Sequence, residues 1–362
     1  MQGAILRSSL VAAVLAVALT AAAPLPAAPP GGSYTVTPLV SDQPGVAPTT
    51  DPNLVNAWGL ARGATSPWWV ADNEADKTTV YNSAGVLQMI GGQPFQVVEG
   101  GPTGAVFSGI AGSFQVGTTA SPTTLGTSNF IFASEDGKIR AWRIGSTAAL
   151  VTASGAAGAI YKGLAISNGS GGPLLYAADF HHARVDVFDG AWHDVTPAGA
   201  FTDPNLPDGY APFGIQTIGD RVFVSYAKQD AAAEDEIAGQ GRGFVDAYDL
   251  NGGSLQRVAE QGQLNAPWGL ALAPTTFGRF GGDLLVGNFG DGRINAYAEV
   301  SPGVFEHRGT LRDTNGGKLT IDGLWALEFG NNGVGGPPGR LFFTAGPNDE
   351  SDGLFGGIDP AP

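Results

Sequence analysis

The chain has 362 residues, of which 56 are Gly and 25 are Pro, so 81 positions hold the two residues that interrupt helices most strongly, which argues against a mainly helical protein. Charged residues make up 14% and hydrophobic ones 43%, a balance that favours a packed body over a disordered polyelectrolyte. With 18 basic against 33 acidic residues the net charge is -15, which repels nucleic acid and anionic membranes, and the absence of cysteine removes disulfides, thiolate metal sites and a Cys nucleophile.

Residues 1–23 read as a signal peptide. Arg7 precedes an uncharged run from Leu10 to Ala23, which is short of the ~20 residues of a membrane span. Pro24 and Pro26 break it, and the small residues Ala21 to Ala23 suit cleavage near Ala22 or Ala23. An uncleaved anchor is the alternative. The expectation is a secreted or periplasmic protein whose mature chain has no membrane span, with a linker at 24–33, one domain at 34–358 and a short tail at 359–362.

From Gly31 onward the chain repeats. An apolar stretch with a small residue at its centre recurs as NAWGLA, TGAVF, KGLA, PFGI, APWGLA and GLWAL, aligned on Gly59, Gly104, Gly163, Gly214, Gly269 and Ala326 at steps of 45, 59, 51, 55 and 57 residues. Each copy is followed by a second apolar strand ending in a polar turn, among them WWVADN, FIFASEDG, LLYAADFH and LLVGNFGDG. A third, alternating strand comes next, as in TTVYN, KIRAW, RVDVFD and GFVDAYD. A period near 50 residues made of strands is the signature of propeller blades. The 332 residues from Gly31 to Pro362 accommodate six. The predicted fold is therefore an all-β, six-bladed β-propeller with four-stranded blades; seven blades or a pair of β-sandwiches is the alternative. The last repeat runs out of chain after its third strand, and YTVTPLV at Tyr34 to Val40 has no blade of its own. That N-terminal strand is expected to close the last blade and remove an exposed sheet edge.

ADFHHARVDVFD, Ala178 to Asp189, resembles the repeat of NHL-type propellers. The segments LVSDQPGVAPTTDPNLVNAWGLA, YAKQD, GFVDAYD, LLVGNFGDGRINAY and DGLFGG resemble an uncharacterised family of exported bacterial propeller proteins, some with a PEP-CTERM sorting tail. The resemblance spans Leu39 to Gly357 and implies architecture and export; it brings no activity with it. This chain ends without the sorting segment, which favours release over anchoring.

Signatures of catalysis are missing: there is no GxSxG, HExxH, P-loop or dinucleotide-binding motif. The four histidines are His181, His182, His193 and His307. His181 and His182 adjoin Asp179 in the third repeat, but neighbouring strand residues point to opposite faces, so the two rings are not expected to share a ligand. Trp58, Trp268 and Trp325, with Phe213, stand one residue before the small residue of their repeats. Such regularity favours packing between blades over a sugar-stacking platform.

In a propeller the polar turns after the second strands encircle one end of the central channel. They bring Asp72, Asn73, Glu135, Asp179, His181 and Asn288 there, joined by Asn56 and Asp322 from the inner-strand entries. These eight are the candidate ligand-binding residues. So many carboxylates and amides on one rim fit a hard cation, so calcium is the cation to test and no other cofactor is indicated. NDESDG at Asn348 to Gly353, with oxygen ligands at Asn348, Glu350 and Asp352 and with Asp359 at the twelfth position, echoes calcium-loop spacing, although Asp, Asn and Gly are also ordinary turn residues. The insertion from Lys228 to Gly243 can be a cap on the channel or a solvated loop. Two functions fit. The favoured one is a monomeric binding or interaction protein for a small molecule, glycan or protein on the channel face; the alternative is a calcium-dependent lactonase or esterase of the gluconolactonase and paraoxonase propeller type.

Overall fold

The computed structural model describes residues 32–90, 92–98 and 100–362; the expected signal peptide lies outside them. The chain is all-β, with six main sheets in a ring, the arrangement of a six-bladed β-propeller. The first blade is built from Ala57–Ala61, Trp68–Asp72, Lys77–Tyr81 and Gln96–Val98, and the second from Pro102–Phe107, Phe130–Ser134, Lys138–Trp142 and Leu150–Ser154. The fourth runs Tyr210–Ile218, Arg221–Lys228, Phe244–Asp249 and Gln256–Glu260, and the fifth Pro267–Leu272, Leu284–Asn288, Ile294–Ser301 and Val304–Thr310. Successive blade strands are antiparallel, and the two-residue strand Thr49–Thr50 adds a parallel fifth strand outside Tyr34–Ser41 in the last sheet.

Two blades depart from this plan. The third has three strands, Tyr161–Gly169, Gly172–Asp179 and Arg184–Asp189, and only a bridge between Phe188 and Asp194 in place of a fourth. After Asp189 the chain turns sharply, with the Asp189 carboxylate accepting the Ala191 and His193 N–H groups at 2.8 and 2.9 Å. The Thr196 hydroxyl then takes the Val187 N–H at 2.8 Å, which a ladder carbonyl would otherwise accept. The sixth blade comprises Leu324–Phe329, Leu341–Ala345 and Leu354–Pro360, and its fourth strand is Tyr34–Ser41 from the other end of the chain. Tyr34 stands opposite Pro360 and Ser41 opposite Leu354 in antiparallel register. The Tyr34 hydroxyl also donates to the Phe277 carbonyl of the fifth blade at 3.2 Å. The ring is thus closed by main-chain hydrogen bonds between the ends of the domain.

The first strand of each blade packs against the first strands of its two neighbours around the axis. The small residues of the repeat sit in those contacts. A Cβ placed on Gly214 would lie 2.0 Å from the Trp268 carbonyl oxygen and 2.8 Å from Ser225 Oγ, and one on Gly269 would lie 2.6 Å from the Trp325 carbonyl oxygen. Hydroxyls lace the same joints: Thr103 Oγ1 donates to the Tyr161 carbonyl at 2.8 Å, Ser225 Oγ to Pro267 at 2.6 Å and Thr344 Oγ1 to Trp58 at 2.5 Å. Further out, separate apolar clusters fill the wedges between blades.

Because the atom opposing Gly214 is backbone and cannot rotate away, Gly214→Val is expected to destabilise the protein by at least ~3 kcal/mol, the upper end for overpacking. Gly171→Ala, with no neighbour within 4 Å, is the control and should stay within ~0.5 kcal/mol of wild type. Denaturant unfolding compares them, and a Gly214→Val protein as stable as the control contradicts the close approach.

Candidate functional site at the channel mouth

The residue preceding each small position is Trp58, Thr103, Lys162, Phe213, Trp268 or Trp325, one per blade. All six are buried. Four are aromatic and plug the axis. Trp58 stacks on Trp325 with centroids 3.7 Å apart, Trp268 meets both edge-on at 6.5 and 5.7 Å, and Phe213 lies 5.8 Å from Trp325. Phe289 from the fifth blade stacks on the other side of Trp325 at 4.1 Å. Such pairs favour offset and edge-to-face contact and add to the burial of their area.

Lys162 is the charged member of this ring. Its Nζ lies 2.5 Å from Glu135 Oε1 and 3.3 Å from Asp235 Oδ1, and it stands 5.1 Å from the Trp58 ring centroid and 5.9 Å from that of Phe180. A buried ammonium needs such compensation: two carboxylates satisfy its charge, and the aromatic faces offer their negative quadrupoles. Burial pulls its pKa down, and Glu135, with Glu236 and Asp235, more than reverses this, so Lys162 sits above its ordinary range.

Above the plug opens a cavity of about 510 Å³ with Trp58 in its floor. Asn73 and Glu74 of the first blade, Glu135 of the second and Ile160 at the entry to the third form one side. Glu234 and Asp235 from the fourth-blade insertion and Asp349 and Glu350 from the sixth-blade turn form the other. The insertion is held in place as a wall. Its first half is bridged between Gln229 and Glu236, the Gln229 amide donates to the Phe180 carbonyl at 2.6 Å, and the Ala233 carbonyl meets His181 Nδ1 at 3.2 Å. The sixth-blade turn takes the left-handed region at three consecutive residues, Asn348, Asp349 and Glu350, with φ of 58°, 51° and 66°. That conformation costs about 1–2 kcal/mol per residue. Offsetting it, Glu350 Oε2 accepts from Asn56 Nδ2 at 2.7 Å, the Asn348 N–H donates to Asp322 Oδ2 at 3.0 Å, and Asn348 Nδ2 donates to Ser351 Oγ at 2.8 Å.

Burial, with neighbouring carboxylates adding to it, leaves two carboxyl groups near this ammonium hard to ionise. Glu236, half-buried beside the cavity, is pushed up to about 8 by burial, opposed by Lys162 and reinforced by Glu350 and Asp235. Glu350 is raised by burial, with the Asn56 hydrogen bond and Lys162 opposing and Glu135 and Asp235 adding to it. Glu236 can therefore hold a proton near neutral pH while Lys162 stays charged.

The residues chosen from sequence divide into two groups. Asn73, Glu135 and Glu350 line the cavity, and Asn56 and Asp322 brace the Glu350 turn. Asp72, Asp179 and Asn288 are fully buried and belong to packing. Asp179 accepts from the Ile160 and His182 N–H groups and lies 2.7 Å from His182 Nδ1; Asn288 Nδ2 donates to the Gln263 carbonyl and to Asp291. His181 buttresses the insertion, and its ring meets that of His182 at 4.9 Å, because the pair occupies a turn, where strand alternation does not apply. The calcium-loop spacing does not assemble. Glu350 turns to Asn56, Asp352 Oδ1 accepts from Gln43 at 2.7 Å, and Asp359 pairs with Arg340 at 3.3 Å. Among the described residues no three His, Asp or Glu side chains converge in a way that could hold a metal ion. Lys162 is absent from the residue set drawn from sequence. Lys162 had a signal there: KGLA puts a lysine in the column that the other repeats fill with Trp, Phe or Thr.

No family model matches the chain. It is 31% identical over 332 residues to uncharacterized protein R648 of Acanthamoeba polyphaga mimivirus, covering 88% of this chain and 78% of that one. It is 28% identical over 341 residues to uncharacterized protein L690 of the same virus, covering 90% and 86%. The chain belongs to this family. That corrects the resemblance to an exported bacterial family with NHL-like repeats: most of the segments that carried it are second and third blade strands and the turns between them. Among solved structures, a streptogramin B lyase superposes with a TM-score of 0.48 at 10% identity, covering 91% of this chain and 98% of that one. A gluconolactonase from Xanthomonas campestris gives 0.43 at 14%, covering 92% and 98%.

A carboxyl whose pKa rises on folding stabilises the fold while protonated, and that contribution is lost as pH rises from its ordinary 4.5 through about 8 for Glu236. Glu236→Gln is therefore expected to raise the melting temperature at pH 8–9 and to flatten the decline in stability between pH 5 and 8. Thermal melts across that range read it, and an unchanged slope contradicts the placement of Glu236.

Proposed function

We propose that this chain is a binding propeller whose acidic channel mouth receives a cationic ligand, a primary amine or guanidinium group carried by a small molecule or by a basic side chain of a protein. One observation carries the reading: at the foot of a cavity lined by Glu74, Glu135, Glu234, Asp235, Asp349 and Glu350, the chain's own ammonium is held between two carboxylates over the face of Trp58. Lys162 offsets only part of that charge, and the rest faces the open cavity. Carboxylates beside an aromatic face are the standard chemistry for recognising an organic cation. The calcium-dependent hydrolase is the weaker reading, since the ammonium already occupies the position among the carboxylates that a divalent cation would take.

Two experiments test this. Calorimetric titration with spermidine and with arginine amide is expected to give saturable binding that weakens as salt rises, and Glu135→Gln should weaken it about tenfold, the equivalent of 1.4 kcal/mol. Saturation by a neutral sugar with no response to the amines overturns the reading. Second, millimolar calcium is expected to leave the wild-type melting temperature unchanged. Lys162→Met, which leaves the carboxylates uncompensated, should lose about 2 kcal/mol, less than a fully buried pair costs because Glu135 remains 39% exposed and solvent screens it. Calcium should restore part of that loss; a rise in the wild-type melting temperature with calcium contradicts the assignment of Lys162 as the resident cation.

A further inference from the structure

The aromatic plug divides the channel, and its far end is chemically unlike the acidic mouth. Below Trp268 the axis is a narrow crevice walled by Leu60, Leu164, Ile215, Leu270 and Leu327. It widens into a second cavity of about 210 Å³, whose polar lining comes from Arg62 at the end of the first inner strand, Gln216 and Thr217 from the fourth, and Glu328 from the sixth. Phe107 and Ile166 supply apolar walls. Arg62 is positioned by its Nε, which donates to the Phe329 carbonyl at 2.7 Å and lies 3.5 Å from Glu328 Oε1, and its guanidinium carbon sits 5.6 Å from the Trp68 ring centroid. Among the described residues neither terminal nitrogen of Arg62 nor the Gln216 amide has a hydrogen-bond partner, and Thr217 Oγ1 is buried without one. A guanidinium fixed through Nε with its outer nitrogens open is a fork set for a planar anion.

We infer that this opposite mouth is a separate binding site for a small organic carboxylate, gripped by the terminal nitrogens of Arg62 and the Gln216 amide, with Glu328 taking up the proton that lets the ligand's charge stand beside it. The carboxylate would lie against Phe107 and Ile166 with its charged end toward Arg62. Glu328 meets the requirement: burial pushes its carboxyl up to about 7, against the pull of Arg62. The strands flanking it, Ala57–Ala61 and Leu341–Ala345, carry no ionisable side chain, and the cavity's other lining residues, Phe107, Ile166, Gln216 and Thr217, carry none either. Arg62 is thus the charged group that faces it. Ligand and proton bind together: a carboxylate arriving next to ionised Glu328 is repelled, and one arriving next to the protonated acid gains a hydrogen-bond donor.

Titration calorimetry of the full chain with acetate, pyruvate and benzoate, and with acetamide as the uncharged control, tests the site. Because only the protonated form of Glu328 is competent, affinity for a carboxylate should fall about tenfold from pH 6 to pH 8. Arg62→Gln should weaken it at least about tenfold at pH 6. Glu328→Gln should abolish the pH dependence and bind at pH 8 at least as tightly as wild type does at pH 6. This last variant keeps the test decisive even where Arg62→Gln fails to fold. Absence of saturation by every carboxylate, acetamide binding as well as acetate, or a Glu328→Gln protein that retains the wild-type pH dependence overturns the proposal.

Discussion

Six inner strands meet around one axis so closely that five of them carry glycine at the contact and the sixth alanine. The Trp268 carbonyl oxygen stands 2.0 Å from where a Cβ of Gly214 would be, and main-chain atoms of the next blade stand within 2.8 Å of the same point at Gly59, Gly104, Gly163 and Gly269. Everything else follows from that approach. It brings the hydroxyls of Thr103, Ser225 and Thr344 within reach of the next blade's carbonyls. It also forces the preceding residue of each strand into a shared space at the axis. A ring made this way has no slack, so the borrowed N-terminal strand in the sixth blade serves the same constraint: closure by a main-chain ladder holds the wedge angles that the glycine contacts require.

The axial residues then decide the character of the channel. Had all six been aromatic, the axis would be a dry plug. Lys162 in their midst needs counter-charge, and the elements within its reach supply it: Glu135 from the second-blade turn and Asp235 from the fourth-blade insertion. The insertion is therefore tied to the axis by an ion pair as well as by its hydrogen bonds to the third blade. The left-handed turn at Asn348 to Glu350 is held by Asn56 and Asp322 in a conformation that would otherwise relax. A rim held by such contacts is pre-organised, which lowers the ordering cost of binding.

With the plug between them, the two ends of the channel face solvent with different chemistry. One presents six carboxyl groups around a buried ammonium; the other presents a single arginine, a single carboxyl, an amide and a hydroxyl. The net charge of -15 is a property of the whole chain and hides this difference. Long-range attraction will bring cations toward either face, but short-range recognition at the far mouth depends on Arg62 and on the proton carried by Glu328.

The architecture was legible in the sequence because it is periodic. Small residues at steps near 50, apolar strands in fixed order and an orphan strand before the first repeat are each local consequences of a blade, and they specify six blades and their closure without reference to distant contacts. The rim was legible as a region, since turn position follows from strand order. Which rim residues form the cavity was not. Asp72, Asp179 and Asn288 are polar turn residues like Glu135 and Glu350 yet are fully buried within the blades, a distinction of strand register that spacing does not carry. The calcium-like spacing at Asn348 to Asp359 fails for a related reason: its oxygens are claimed by Asn56, Gln43 and Arg340, residues remote in sequence. The sequence by itself determined the fold, its closure and the acidic end of the channel, because these depend on local pattern; only the tertiary structure decided that a lysine at the axis faces that acid, because a charge pair between blades is a fact of the closed ring and of no segment within it.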